Sequence, residues 1–106
     1  MKKTEKTSQS LNYRKLHTFW KKDCCLKFGE ENFRLPTPDE IKEFLHLNHW
    51  TQAEVAQLVG VSNDTVKKWC LKKESKGNRS ITYAAWRLLI LYSESRILKK
   101  GQNDIL

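Results

Sequence analysis

Residues 51–69, "TQAEVAQLVGVSNDTVKKW", contain two helix-start signals separated by a glycine. Thr51 can act as an N-cap with Glu54 at the third helical position, which is a capping box, and Ser62 can cap a second helix. Gly60 between them can adopt the left-handed conformation that ends a helix. The stretch therefore predicts two short helices joined by a tight turn, which is a helix-turn-helix.

The side chains of this stretch divide into a packing set and an outer set. Ala56 is small enough to let the two helix axes approach closely, so we place it at their crossing. The larger inward-facing residues, by helical spacing, are Val55, Leu58, Val59, Val66 and Trp69. The polar residues left on the outer face of the second helix are Asn63, Asp64, Lys67 and Lys68.

Helical signals also flank this motif on both sides. "TPDE", residues 37–40, predicts another capping box, and a long helix is expected from Ser80 or Thr82 to about Lys99. Apolar spacing over residues 11–28 predicts a further helix that ends at Gly29. Its apolar face would contain Leu16, Phe19, Trp20 and Cys24.

No segment alternates apolar and polar residues as a strand does, so the predicted fold is all-α, with four to five helices including an N-terminal helical arm. We divide the chain into a basic tail and helical arm (1–35), a helix-turn-helix domain (36–100) and a frayed C-terminus (101–106). Residues 1–10 are expected to form a disordered tail because they are polar and rich in lysine.

The chain of 106 residues has a formal net charge of +8, and residues 67–79 contain six Lys or Arg against one Glu. Such clustering suits a polyanion, either nucleic acid or an anionic membrane surface, although a solubilising face would give the same composition. No apolar run is long enough to cross a bilayer, and no secretory signal is evident, so we expect a cytoplasmic protein. The cysteines and histidines lack metal-ligand spacing, so no metal or cofactor is expected.

The helix-turn-helix stretch resembles the Cro and phage-repressor family, also called the XRE family. The residues that carry the resemblance are Thr51, Gln52, Ala56, Gly60, Val61, Ser62, Thr65, Val66 and Trp69. The likeness covers about residues 38–95, and "ITYAAWRLLILY" (81–92) looks like the following helix in regulators of phages and mobile elements. It implies a repressor-like domain that binds double-stranded DNA, commonly as a homodimer on inverted repeats.

Chemistry assigns each outer residue a role in the DNA-binding interpretation. Asn63 can pair with adenine, while Lys67 and Lys68 can reach guanine or phosphates. Phosphate repels Asp64, so its carboxylate should either accept a hydrogen bond from cytosine N4 or disfavour binding to sites of the wrong sequence. Gln52 resembles the family glutamine that binds phosphate and braces the recognition helix. The caps Thr51 and Ser62 are also candidates for contacts with DNA, and the candidate backbone contacts in the following loop are Lys72, Lys73, Lys76 and Arg79.

These observations favour a sequence-specific DNA-binding regulator, a repressor of a phage or mobile-element operon, that has no catalytic step. Two alternatives remain open. An antitoxin-type autorepressor would bind a partner protein through the arm at residues 11–35, and a transposition system could use the chain as its DNA-binding module. No carboxylate cluster for two-metal chemistry and no nucleotide-binding glycine loop is evident in the sequence, so we predict that the chain is not an enzyme.

Overall fold

The computed structural model describes residues 13–105, with side chains described through residue 97. Its helices are Tyr13–Phe19 (α1), Pro38–Asn48 (α2), Gln52–Val59 (α3), Asn63–Trp69 (α4) and Tyr83–Ile105 (α5). A short 3₁₀ helix, Asp23–Cys25, lies between α1 and α2. No strand occurs within the described range, and the predicted all-α fold is confirmed. The tail predicted at residues 1–10 lies outside the described residues.

The predicted starts of α2, α3 and α4 are confirmed. Thr37 and Thr51 each accept a hydrogen bond from the backbone N–H of a glutamate three residues later, and that glutamate bonds back to the cap. Ser62 Oγ accepts from the backbone N–H of Thr65 at 3.1 Å. Because these caps satisfy donors that have no intrahelical partner, the three helices begin at positions set by local sequence.

The predicted helix over residues 11–28 is wrong in extent. α1 ends at Phe19, and the chain then turns into the 3₁₀ helix instead of continuing to Gly29. Tertiary hydrogen bonds explain the break: the indole Nε1 of Trp86 donates to the Cys24 carbonyl at 2.8 Å, and Arg87 donates to the Cys25 carbonyl at 3.1 Å. A continuous helix would direct these two carbonyls into its own hydrogen bonds, so contacts with α5 replace the helical ones.

The last helix also departs from its prediction. α5 begins at Tyr83, where Thr82 Oγ1 accepts from the backbone N–H of Ala85 at 3.1 Å, and it extends to Ile105 instead of ending near Lys99. Neither glycine nor proline interrupts it before Gly101, and a single glycine lowers helix stability by only about 1 kcal/mol.

One apolar core joins all of these elements. Phe19 of α1, Phe44 of α2 and Trp86 of α5 form its aromatic centre, with ring centroids 5.0 Å apart for Phe19–Phe44 and 5.1 Å for Phe44–Trp86. Val55 and Ala56 of α3, and Val66 and Trp69 of α4, complete the core on the helix-turn-helix side. The helix-turn-helix therefore packs on the same core as the N-terminal segment.

A buried polar contact fixes α5 against the end of α2. The Asn48 side chain is fully buried and donates to the Phe44 carbonyl at 2.8 Å, while its Oδ1 accepts from Ser93 Oγ at 2.6 Å. Arg96 donates to the Asn48 backbone carbonyl at 2.9 Å and lies over the Trp50 ring. These bonds satisfy polar groups that would be costly to bury unpaired, and they set the position of α5 beside α3.

Candidate nucleic-acid interface

α3 and α4 are joined by a turn that reverses the chain within three residues. Gly60 ends α3 with φ 75°, and its N–H donates to the Ala56 carbonyl at 2.8 Å. Val61 N–H donates to the same carbonyl at 3.0 Å, after which Ser62 caps α4. Ala56 itself is buried where the helices meet, as its small side chain predicted. Two short helices joined by a three-residue turn are the connection predicted for a helix-turn-helix, and we use that name for the unit from α3 to α4.

The outer face of α4 is polar and accessible. Asn63, Asp64 and Lys67 are exposed, and Lys68 is partly exposed, whereas Val66 is fully buried on the opposite side of the helix. Asn63 lies in the first turn of α4, and Lys67 follows one turn later. The helix thus presents an amide, a carboxylate and an ammonium group to solvent, which are groups that can bind the edges of base pairs.

Asp64 has a partner that the sequence analysis did not assign. Its Oδ2 lies 3.0 Å from Lys68 Nζ, an i,i+4 ion pair on the surface of α4. Such a pair stabilises a helix by only about 0.3–0.5 kcal/mol. The Asp64 carboxylate therefore offers Lys68 a weak partner at the surface, while Lys67 makes no ion pair among the described residues.

The start of α3 lies against the end of α4. Thr51 Oγ1 is occupied as a cap by the N–H of Glu54 at 3.1 Å. Burial raises the pKa of the Cys70 thiol, and the nearby Lys42 and a side-chain hydrogen bond from Gln52 partly offset that rise. Gln52 is exposed and thus lies both at the surface and against the residue that follows α4. That placement suits a residue that braces α4.

The basic loop after α4 is fixed by an asparagine whose role the sequence analysis missed. The Asn78 amide donates to the carbonyls of Lys68 at 3.3 Å and Leu71 at 2.9 Å, and Arg79 N–H donates to the Lys68 carbonyl at 3.1 Å. These bonds satisfy carbonyls at the end of α4, which a helix leaves without internal partners. Helical spacing could not predict this contact, because ten residues separate Asn78 from Lys68 along the chain.

Lys73 and Arg79 line one cleft together with Arg34, a residue of the N-terminal segment to which the sequence assigned no role. The cleft has a volume of about 380 Å³, and its apolar walls include Trp69 and Ile81. No acidic residue lines it. Lys72 and Lys73 also line a neighbouring depression beside the start of α2, but the carboxylates of Asp39 and Glu74 line it with them. The positive charge next to α4 is therefore concentrated in the cleft, where the basic loop meets the segment before α2.

A carboxylate outside the cleft holds Arg34 in place. The Arg34 guanidinium donates to both carboxylate oxygens of Glu40, at 2.7 Å and 2.9 Å. These bonds, supported by the Thr37 N–H and by Lys22, lower the pKa of Glu40 from 4.5 to about 2. Glu40 is also the capping-box residue of α2, so one side chain links the N-terminal segment, the start of α2 and the cleft.

Other kinds of site lack support in the described residues. No group of three or more His, Cys, Asp or Glu side chains is placed to hold a metal ion within that range. Cys24, Cys25 and Cys70 are free thiols, two of them buried. No helix in the described part of the chain has the length and apolar character needed to cross a membrane.

Residues 42–85, from α2 to the start of α5, match a family model described as "Putative ATPase subunit of terminase (gpP-like)". The match covers less than half of the chain and contains the whole helix-turn-helix. It indicates a phage-related protein. No curated protein and no solved structure matches the chain. The resemblance to the Cro and phage-repressor family rests on the sequence alone.

Proposed function

We propose that the chain is a sequence-specific DNA-binding regulator that represses a phage or mobile-element operon by occluding its promoter, with no catalytic step. The observation that carries this proposal is the outer face of α4: a short helix, held by the turn at Gly60, exposes Asn63, Asp64 and Lys67 beside a cationic loop. A helix of this kind fits the major groove, with its N-terminal residues nearest the bases.

In this proposal the exposed residues have different duties. Asn63 pairs with adenine, and Lys67 contacts guanine or a flanking phosphate. Asp64 pairs with Lys68 at 3.0 Å, and its charge is repelled by the phosphates of every duplex. Only a site where the carboxylate accepts a hydrogen bond from cytosine N4 offsets that repulsion, so non-matching sites bind less well. The remaining contacts, to the DNA backbone, come from Thr51, Gln52, Ser62, Lys68, Lys72, Lys73 and Arg79.

The cleft at Arg34 extends this backbone contact surface. Lys73 and Arg79 line the cleft with Arg34, so a phosphate there meets these two cations and an arginine that already binds the Glu40 carboxylate. Such contacts fix the register of the protein on the duplex and make the affinity depend on salt.

A second candidate function is a DNA-binding part of a phage packaging system, which the family match over residues 42–85 favours. The name of that family refers to an ATPase. The matched segment of this chain contains only two glycines, Gly60 and Gly77, and no G-x-x-x-x-G-K-[S/T] phosphate loop. We therefore propose that the shared segment binds DNA and does not bind ATP.

The test of base readout compares Asn63→Ala with Lys73→Ala on duplexes selected from random DNA. Asn63→Ala should reduce the binding free energy on the matched site by about 1–3 kcal/mol, because the amide's hydrogen bonds to a base are lost. The variant should also lose base preference at one position of the site. Lys73→Ala should weaken all duplexes alike and reduce the salt slope by about one. Unchanged base preference in Asn63→Ala would contradict its role.

A reporter assay separates the two candidate functions. The natural promoter of the operon that encodes the chain, with no motif added, should be repressed by the wild-type chain and not by Asn63→Ala. Binding without repression would favour the packaging function instead.

A further inference from the structure

The outer side of α5 carries an apolar strip that faces solvent. Leu88, Leu91 and Tyr92 are 37%, 49% and 38% exposed, and Ala84 and Ser95 beside them are also exposed. None of these five residues is charged, although 30% of the chain is. The inner side of the same helix already packs on the core through Trp86, Leu89 and Ile90. α5 is therefore apolar on two sides, which indicates a second packing partner.

The spacing of the strip is that of a helix–helix contact. Positions 84, 88, 91 and 95 alternate steps of four and three, which are the a and d positions of a heptad repeat. The same spacing continues in the sequence through Leu98, Gln102 and Ile105. α5 has 23 residues, which at 1.5 Å per residue is about 34 Å, long enough for several heptad layers.

We propose that this strip binds a second copy of the chain, with the two α5 helices antiparallel about a two-fold axis. The inference rests on the proposed function only in that a two-fold dimer suits inverted repeats. The interface is isologous, so each residue of the strip contributes twice.

An antiparallel pair brings complementary residues together. If Leu88 faces Leu91 of the second copy, the neighbouring layer pairs Ala84 with Ser95. Along one flank, Arg87 then faces Glu94, and both residues are partly exposed. Arg87 already donates to the Cys25 carbonyl, but an arginine has five N–H donors and can bind both groups.

The opposite flank and its surroundings also fit a second helix. In the same register Ala85 faces Tyr92 of the second copy, so a small side chain lies opposite a large one. Beside Tyr92, α3 contributes a depression of about 490 Å³ lined by Trp50, Glu54, Gln57 and Leu58. This depression widens the contact beyond α5, as a stable dimer needs about 800 Å² from each partner.

The strip is separate from the proposed DNA contacts. None of the residues assigned to DNA lies on α5, and the helix is fixed to the end of α2 by the hydrogen bonds of Ser93 and Arg96 to Asn48. A dimer formed through α5 therefore leaves both α4 helices available for DNA.

The first test is the oligomeric state of Leu88→Glu and Leu91→Glu by sedimentation equilibrium. The wild-type chain should be a dimer, and each variant should raise the dimer Kd by about 100-fold or more, because two carboxylates enter an apolar contact. Leu35→Glu is the matched control, because Leu35 is also 37% exposed but belongs to the segment before α2 and not to the strip on α5. Circular dichroism should show an unchanged helix content in all three variants.

The second test fixes the orientation by disulfide formation. A mixture of Ala84→Cys and Ser95→Cys chains should form the mixed disulfide, and neither variant alone should cross-link beyond the wild-type background. Self-linked Ser95→Cys would overturn the antiparallel pairing.

A monomeric wild-type chain, or a dimer that survives Leu91→Glu, would overturn the inference. Either result would leave DNA recognition untouched, because a monomer can still prefer its half-site. Conversely, an α5 dimer that binds all duplexes equally would refute the proposed function alone.

Discussion

The helix-turn-helix and the N-terminal segment reach the same core by different means. In the helix-turn-helix, the caps join residues three apart, as between Thr51 and Glu54 or Ser62 and Thr65. The N-terminal segment instead depends on a bond from Trp86 to the Cys24 carbonyl, across 62 positions of the chain. Local contacts thus define one region, and distant contacts define the other.

The two regions therefore differ in which of their side chains remain available for binding. Because its caps and turn are locally satisfied, α4 can expose Asn63 and Lys67 without weakening the core. The N-terminal segment buries Leu16 and Phe19 in the interior, although its Phe28 remains 69% exposed. We infer that the N-terminal segment mainly supports the fold, with Arg34 as its proposed DNA contact, and that the helix-turn-helix carries the base readout.

The largest effect on the free energy of unfolding is expected if the N-terminal segment is an integral part of the fold. Phe19 is 1% exposed, and its ring lies 5.0 Å from that of Phe44. Phe19→Ala should lower the free energy of unfolding by about 3–5 kcal/mol, because it removes a fully buried ring from the shared core. Urea denaturation measures this loss. A loss below about 1 kcal/mol would show that the segment only rests on the domain.

A smaller effect is expected when one glycine from each region is replaced by alanine and the two variants are compared for stability and DNA binding. Gly60 has φ 75° and Gly29 has φ 93°, and both have open space around the Cβ position. Gly60→Ala and Gly29→Ala should each cost about 1–2 kcal/mol of stability, because the left-handed conformation is costly for alanine. Binding to a selected duplex should fall further for Gly60→Ala, whose turn sets the angle of α4. Equal binding by both variants would contradict the division between the two regions.

The smallest expected effect concerns the ion pair between Arg34 and Glu40, which joins the N-terminal segment to the start of α2. Glu40→Gln keeps the capping acceptor but loses the pair with Arg34, so it should cost about 1 kcal/mol at neutral pH. The pKa of Glu40 is lowered from 4.5 to about 2, so its ionised form stabilises the fold above pH 4.5. This contribution disappears as the pH falls towards 2. Urea titrations from pH 7 downward should therefore show the difference between wild type and variant shrinking, and a constant difference would contradict the pairing.

The sequence predicts the locally determined parts of the fold. The capping boxes at Thr37 and Thr51, the left-handed Gly60 and the buried Ala56 and Trp69 all follow from residues within a few positions of one another. Helical spacing over 11–28 misleads because Leu16, Phe19 and Cys24 do share the core, but through a turn held by α5. Periodicity records which residues are buried and not whether the chain between them stays helical.

The candidate site follows the same rule. The exposed residues of α4 are predictable because helical spacing fixes its faces. The Arg34 side of the cleft is not, because Arg34 meets Lys73 and Arg79 only after the chain has folded. The same holds for Asn78, whose bonds to the end of α4 follow from the path of the loop.

In the proposed function, α4 reads base sequence in duplex DNA. The most direct test is the ratio of the Kd values for a selected duplex and a scrambled duplex of equal length, measured at physiological ionic strength. We expect a preference for the selected duplex of at least about 10³-fold. Equal Kd values would contradict it, because the positive charge alone would then explain the binding.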